Sequence, residues 1–119
     1  IAVEAKQFEW HFTLSGPDGR LGTDDDIFRK DTLHVAVGRD YVLDLQARDV
    51  IHSFFVPAFR LKQDAVPGMT TRAWFRATRT GAFEIACAEL CGVGHYRMAA
   101  RLFVHSPEEF AAWQAAQGQ

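Results

Sequence analysis

Cysteine is scarce in this chain: two residues in 119, Cys87 and Cys91. That is too few for the disulfide framework that stabilises many small secreted domains. No stretch approaches the roughly 20 consecutive apolar residues of a membrane helix. Charge of one sign is lacking too. Thirteen Lys and Arg face fifteen Asp and Glu, for a formal net charge of −2. Without a basic patch, nucleic acid is excluded as an expected partner. Repeats and low-complexity segments are missing, as is any break in composition, so residues 1–119 read as a single domain. The chain opens on Ile1-Ala2-Val3 without a signal-peptide pattern. A soluble protein and a soluble piece of a longer, anchored chain both fit.

Core-forming material is plentiful. Hydrophobic residues make up 48% and include ten Phe and three Trp. In the first segment, 1–12, Phe8, Trp10 and Phe12 share one face if the backbone is extended. Gly16-Pro17-Asp18-Gly19 and Gly22 then signal turns. Thr32 to Val37 and Tyr41 to Ala47 read as strands joined at Gly38-Arg39-Asp40. Ile51 to Val56 is a short apolar strand that Pro57 ends. Residues 59–69 read as irregular, with a turn at Pro67-Gly68. Thr71 to Ala77 alternates, with Trp74 and Arg76 on one face and Phe75 on the other. Ala82 to Cys87 and Arg97 to Val104 complete the strands. Ser106-Pro107-Glu108-Glu109 is a helix start, with Ser as N-cap, Pro in the first turn and Glu three residues after the cap. Short strands separated by turn signals predict an all-β sandwich or barrel with a short C-terminal helix.

The chemistry concentrates in Cys87-Ala-Glu-Leu-Cys91-Gly-Val-Gly-His95-Tyr-Arg-Met98. Four metal-ligand types recur there at spacings of four, four and three residues, on a Gly-containing loop between two predicted strands. Thiolate, imidazole and thioether together favour copper or another soft ion. A mononuclear blue-copper site uses one Cys, and here there are two. Two thiolates on one loop can bridge two ions, each completed by a histidine. The second histidine must come from another loop, and His52, which begins His52-Ser-Phe-Phe-Val-Pro57, is the candidate. A bridged pair spreads one electron over two ions, which suits transfer and leaves no open position for substrate. Two other readings remain open on spacing alone. One is a structural Cys2His2 zinc, which leaves Met98 unexplained. The other is a simple Cys87–Cys91 disulfide. The acidic run at Asp18, Asp24, Asp25 and Asp26 could hold calcium, but its spacing does not match the helix-loop-helix pattern and a plain loop is the preferred reading. His11, His34 and His105 match no ligand position and read as structural.

These residues resemble the copper-A (CuA) domain of cytochrome c oxidase subunit II, whose pattern is Cys-x-x-x-Cys-x-x-x-His-x-x-Met with Glu midway between the cysteines. Cys87, Glu89, Cys91, His95 and Met98 match it. Asp49-Val-Ile-His52-Ser, Lys62-Gln-Asp64-Ala-Val-Pro67-Gly68 and Gln7-Phe8-Glu9-Trp10 are similar to further blocks of that family, with Phe8 where many members carry Trp. The resemblance implies a cupredoxin-like Greek-key fold and a binuclear centre of two copper ions. Cys87 and Cys91 would bridge, His52 and His95 would each bind one ion, Met98 would be a weak axial ligand, and Glu89 would contribute its backbone carbonyl. It also implies an electron donor such as cytochrome c, and a catalytic haem-copper subunit I as acceptor. Asp49 and Asp64 would stand near the docking face, and aromatics around Phe8 and Trp10 would receive the electron. The domain is expected on the periplasmic face of the cytoplasmic membrane, tethered there in the native chain, with no catalysis of its own. Similar domains occur in nitrous oxide and nitric oxide reductases. The residue between the cysteines in the former is typically Trp, so Glu89 favours the oxidase. A copper carrier for oxidase assembly is a further alternative.

Overall fold

The computed structural model describes residues 1–87 and 98–117. Among the described residues, ten strands form two five-stranded sheets. They are β1 (Ala2–Lys6), β2 (Glu9–Leu14), β3 (Ile27–Lys30), β4 (Thr32–Ala36), β5 (Asp40–Ala47), β6 (His52–Val56), β7 (Leu61–Ala65), β8 (Thr71–Arg76), β9 (Gly81–Cys87) and β10 (Ala99–His105). A short helical turn, Pro57–Phe59, links β6 to β7, and helix α1 (Pro107–Gln117) follows β10. The first sheet runs β3-β2-β1-β5-β8 and the second β4-β10-β9-β6-β7. Most neighbours are antiparallel, but β1 lies parallel to β5 and β4 parallel to β10. The arrangement is the expected cupredoxin-like β-sandwich with a short C-terminal helix.

Alternation builds the core. Trp10, Phe12 and Leu14 point inward from β2, Leu43 and Leu45 from β5, and Phe54, Ile85 and Leu102 from the facing sheet, all buried. Each large apolar side chain removed from water contributes about 1.5–3 kcal/mol. On β8, Phe75 is buried while Trp74 is 70% exposed, as the pattern of that strand predicts.

Between β3 and β4 the chain passes from one sheet to the other across a single residue. Asp31, between β3 and β4, adopts a left-handed backbone (φ 60°), which Asp tolerates better than most residues. Its carboxylate accepts from the Trp10 amide at 2.8 Å, its own amide donates to the Trp10 carbonyl at 2.8 Å, and its carbonyl accepts from the Arg101 amide at 3.0 Å.

Three segments differ from the sequence reading. Residues 1–12 form a hairpin rather than one strand, because the turn at Gln7 is held by a distant group: its amide donates to the Asp49 carboxylate at 2.7 Å. Trp10 and Phe12 do share the inner face, and Phe8 lies in the turn. The region read as irregular contains β7, whose polar Lys62-Gln63-Asp64 hides its pairing with β6. Ile27–Lys30 is a further strand, an edge with Phe28 54% exposed.

The helix start is as read. The Glu109 amide donates to Ser106 Oγ at 3.2 Å and the Ser106 amide donates to Glu109 Oε1 at 3.3 Å, a reciprocal cap.

Candidate metal centre

The β6–β9 register sets Phe54 opposite Cys87 on the inner face. His52 lies two residues from Phe54 on that same face, so it sits diagonally from Cys87. Both side chains are buried, and His52 Nδ1 stands 3.9 Å from Cys87 Sγ. The other imidazole nitrogen, Nε2, is 2.9 Å from Asp49 Oδ1. An ionised carboxylate only accepts, so Nε2 carries the proton and a neutral ring keeps its lone pair on Nδ1, toward the sulfur. Burial by itself raises the Asp49 pKa. Hydrogen bonds from the Gln7 amide, His52 and the Val50 amide outweigh it and hold the carboxyl below its ordinary value.

Trp10 closes the inner side. Its ring is fully buried, edge-on to His52 at 6.2 Å and to Phe54 at 5.5 Å. Its indole N–H donates to the Met98 carbonyl at 3.4 Å, so one side chain touches the ends of two distant segments. Met98 is buried as well. Of the six residues expected at the centre, the structure thus places His52, Cys87 and Met98 at one end of the sandwich; Glu89, Cys91 and His95 lie outside the described residues.

The donor chemistry fits a soft ion. A 3.9 Å gap between imidazole nitrogen and sulfur is long for a hydrogen bond. It is within the roughly 4.3 Å that bonds of about 2.0 and 2.3 Å to one shared ion can span. Among the described residues, no cluster of three or more His, Cys, Asp and Glu could hold a metal. In the acidic loop the carboxylates accept internal hydrogen bonds: Asp18 and Asp25 each lie 2.7 Å from Thr23 Oγ1, and Asp26 accepts from the Gly22 amide at 2.6 Å.

Two roles escape a reading by motif. Asp49 orients His52, and the signal available was its place three residues before that histidine. Trp10 holds the Met98 carbonyl across 88 positions of chain, which no local pattern reveals. Trp10 is fully buried and Phe8 is half-buried.

Fold and donor arrangement together define a cupredoxin-like domain. The chain belongs to the family of periplasmic domains of cytochrome c oxidase subunit II, whose model matches residues 4–104. Cytochrome c oxidase subunit 2 of Thermostichus vulcanus is 46% identical over 96% of this chain and 32% of its own length. The chain spans less than half the length of the curated relatives it matches. Among solved structures, the periplasmic domain of subunit II of cytochrome oxidase from Bradyrhizobium japonicum superposes with a TM-score of 0.84 at 29% identity, covering 98% of this chain and 91% of that one. A subunit II periplasmic domain in a mixed disulfide with a thioredoxin-like protein gives 0.80 at 31% identity, with 98% and 88% covered. No helix among the described residues is long and apolar enough to cross a membrane.

Proposed function

We propose that this chain works as one domain that relays electrons into a haem-copper oxidase through a CuA centre. His52, Cys87, Glu89, Cys91, His95 and Met98 would hold two copper ions. Bound there, the copper pair would supply one-electron chemistry, taking an electron from cytochrome c or a similar donor and yielding it to the haem of the catalytic subunit I. The observation that carries this reading is the buried juxtaposition of His52 Nδ1 and Cys87 Sγ, with Asp49 fixing the ring.

The protein's own contribution is rigidity and dryness. The Asp49 carboxylate keeps the proton off the nitrogen that faces sulfur. Trp10, Phe54 and Met98 exclude water from the inner side, so few dipoles need to reorient when charge changes. The β6–β9 ladder, which pairs Phe54 with Cys87 and Phe55 with Ala86, fixes His52 and Cys87 relative to one another and limits their movement between redox states.

The domain would sit on the periplasmic face of the membrane, in a native chain anchored beside subunit I. Both thiols must be reduced to bind metal. The mixed disulfide of the related subunit II domain supports a thioredoxin-like assembly partner. Membership in the subunit II family favours the oxidase over a nitric or nitrous oxide reductase.

The test is copper loading followed by metal analysis and electron paramagnetic resonance. Two coppers per chain, with one unpaired electron coupled equally to both nuclei, is the expected result. A signal from one nucleus would favour a copper carrier, and a silent zinc-filled site would end the electron-transfer reading. In the loaded domain Met98→Leu should keep both coppers while shifting the reduction potential, since an axial ligand tunes more than it holds.

A further inference from the structure

Far from the proposed centre, a second pair of histidines is joined directly. His34 on β4 and His105 on β10 approach with Nδ1 and Nε2 2.8 Å apart. Their ring planes differ by 4° and their centroids lie 5.1 Å apart. An imidazole ring has a radius of roughly 1.1 Å, so a 2.8 Å contact between nitrogens of two rings in line gives about this centroid spacing. The rings are therefore coplanar and meet edge to edge through an N–H···N bond. They are not stacked on one another.

Helix α1 rests on this flat surface. Trp113 stacks on His34 at 4.2 Å and 15°, and is nearly parallel to His105 at 6.4 Å and 19°. Phe103 flanks His34 at 4.9 Å and 22°. Phe110 is the buried residue among the helix's described side chains and Trp113 is partly buried against the core, so these two aromatics anchor the helix. Gln114 adds a bond to the Ser15 carbonyl at 3.4 Å.

Proton count decides whether that surface survives. A neutral pair has one N–H for the bond. One added proton goes to an outer nitrogen and makes the bond charge-assisted, which strengthens it. The added charge also attracts the indole face. A second proton leaves both facing nitrogens as donors, with no acceptor between them and two like charges in contact. The rings must then part.

We propose that His34 and His105 form a proton-counting latch for α1, closed on Trp113 with at most one extra proton and open once both rings are charged. The surroundings set where it opens. Burial first, then the charges of His105 and Arg29, push His34 down to about 4. Arg29 on β3 lies 6.0 Å from the Trp113 ring centre and opposes the second proton. Glu109, in the first turn of α1, is the acidic neighbour. Its carboxyl is held low chiefly by its bonds with Ser106, and to a smaller degree by His105. Arg101 is two places beyond Phe103 in the outward row of β10, and adds a further positive charge on that face.

The latch stands independently of the copper proposal. It is tested by replacing tryptophan with 5-fluorotryptophan in the whole chain and following the fluorine spectrum from about pH 8 to about pH 3. Trp10 in the core and exposed Trp74 serve as internal references. The Trp113 resonance should move in one step near pH 4 while Trp10 holds its position, and His34→Gln and His105→Gln should each abolish the step. Movement of Trp113 only together with Trp10 would mean whole-domain unfolding and overturn the latch. So would a step that persists in either variant. The Trp10 signal reports whether a variant is folded, and if His34→Gln is not, His105→Gln decides.

Discussion

Two buried or half-buried histidines in this domain differ in what holds their second nitrogen. His52 gives its Nε2 proton to a carboxylate and turns a lone pair toward a sulfur. His34 bonds another imidazole and is covered by an indole. The first arrangement is the one the proposed metal centre would use. The second spends the nitrogens on one another and makes a structural surface whose state depends on protons. Residue type alone does not distinguish them; the partner of the second nitrogen does.

The comparison can be broken most forcefully at the sulfur. Cys87→Ser should abolish the two-copper spectrum while leaving the fold intact, as read by paramagnetic resonance and circular dichroism. Next comes the orienting group. Asp49→Ala should weaken copper binding by about 10- to 100-fold, the usual cost of losing a partner behind a metal-binding histidine, and competition with a chelator measures it. If affinity is unchanged, Asp49 does not set the ring. The same substitution should leave the pH response of Trp113 untouched.

At the other histidine the expected effect is smaller and depends on pH. The folded-state pKa of His34 lies below its ordinary value of 6.5, at about 4. Its contribution to stability is therefore complete above the ordinary value and is lost as pH falls from there toward the folded value, where the unfolded chain binds the proton first. His34 is half exposed, so after allowing for solvent screening the loss is about 1 kcal/mol. Urea unfolding of wild type and His34→Gln at neutral pH and near pH 4 isolates it, because the variant should lose less stability over that range. Smallest of all, Ser106→Ala should cost about 0.5–1 kcal/mol by removing the cap of α1, seen in the same urea experiment.

How much of this was legible in the sequence follows from the range of the forces. The cap at Ser106 is a four-residue device, and it was read correctly. Strand alternation worked where one face is buried, as in β2, β5 and β8. It failed at β7 and β3, edge strands whose pairing depends on the neighbouring strand more than on their own apolar pattern. The turn at Gln7 could not be seen because its stabilising carboxylate is 42 residues away. At the candidate centre the residue types and their spacing were visible, and the structure sets His52 Nδ1 3.9 Å from Cys87 Sγ. The roles of Asp49 and Trp10 were not, since orientation of a ring and support of a carbonyl are properties of packing. His34 and His105 were read as structural, which their bond agrees with, but their meeting depends on β4 and β10 lying side by side.

The parallel pairing of β4 with β10 also bears on how the molecule is made. β10 is the only strand between β4 and β9 in the second sheet, so that sheet has a gap until residues 99–105 have been synthesised. Contacts of such long sequence separation form late and slowly. His52 is synthesised well before the strand that completes its sheet, whereas Cys87, at the end of β9, precedes that strand by one loop. For the proposed copper centre, β9 with Cys87 gains its second neighbour only when β10 joins, so metal insertion would follow that step.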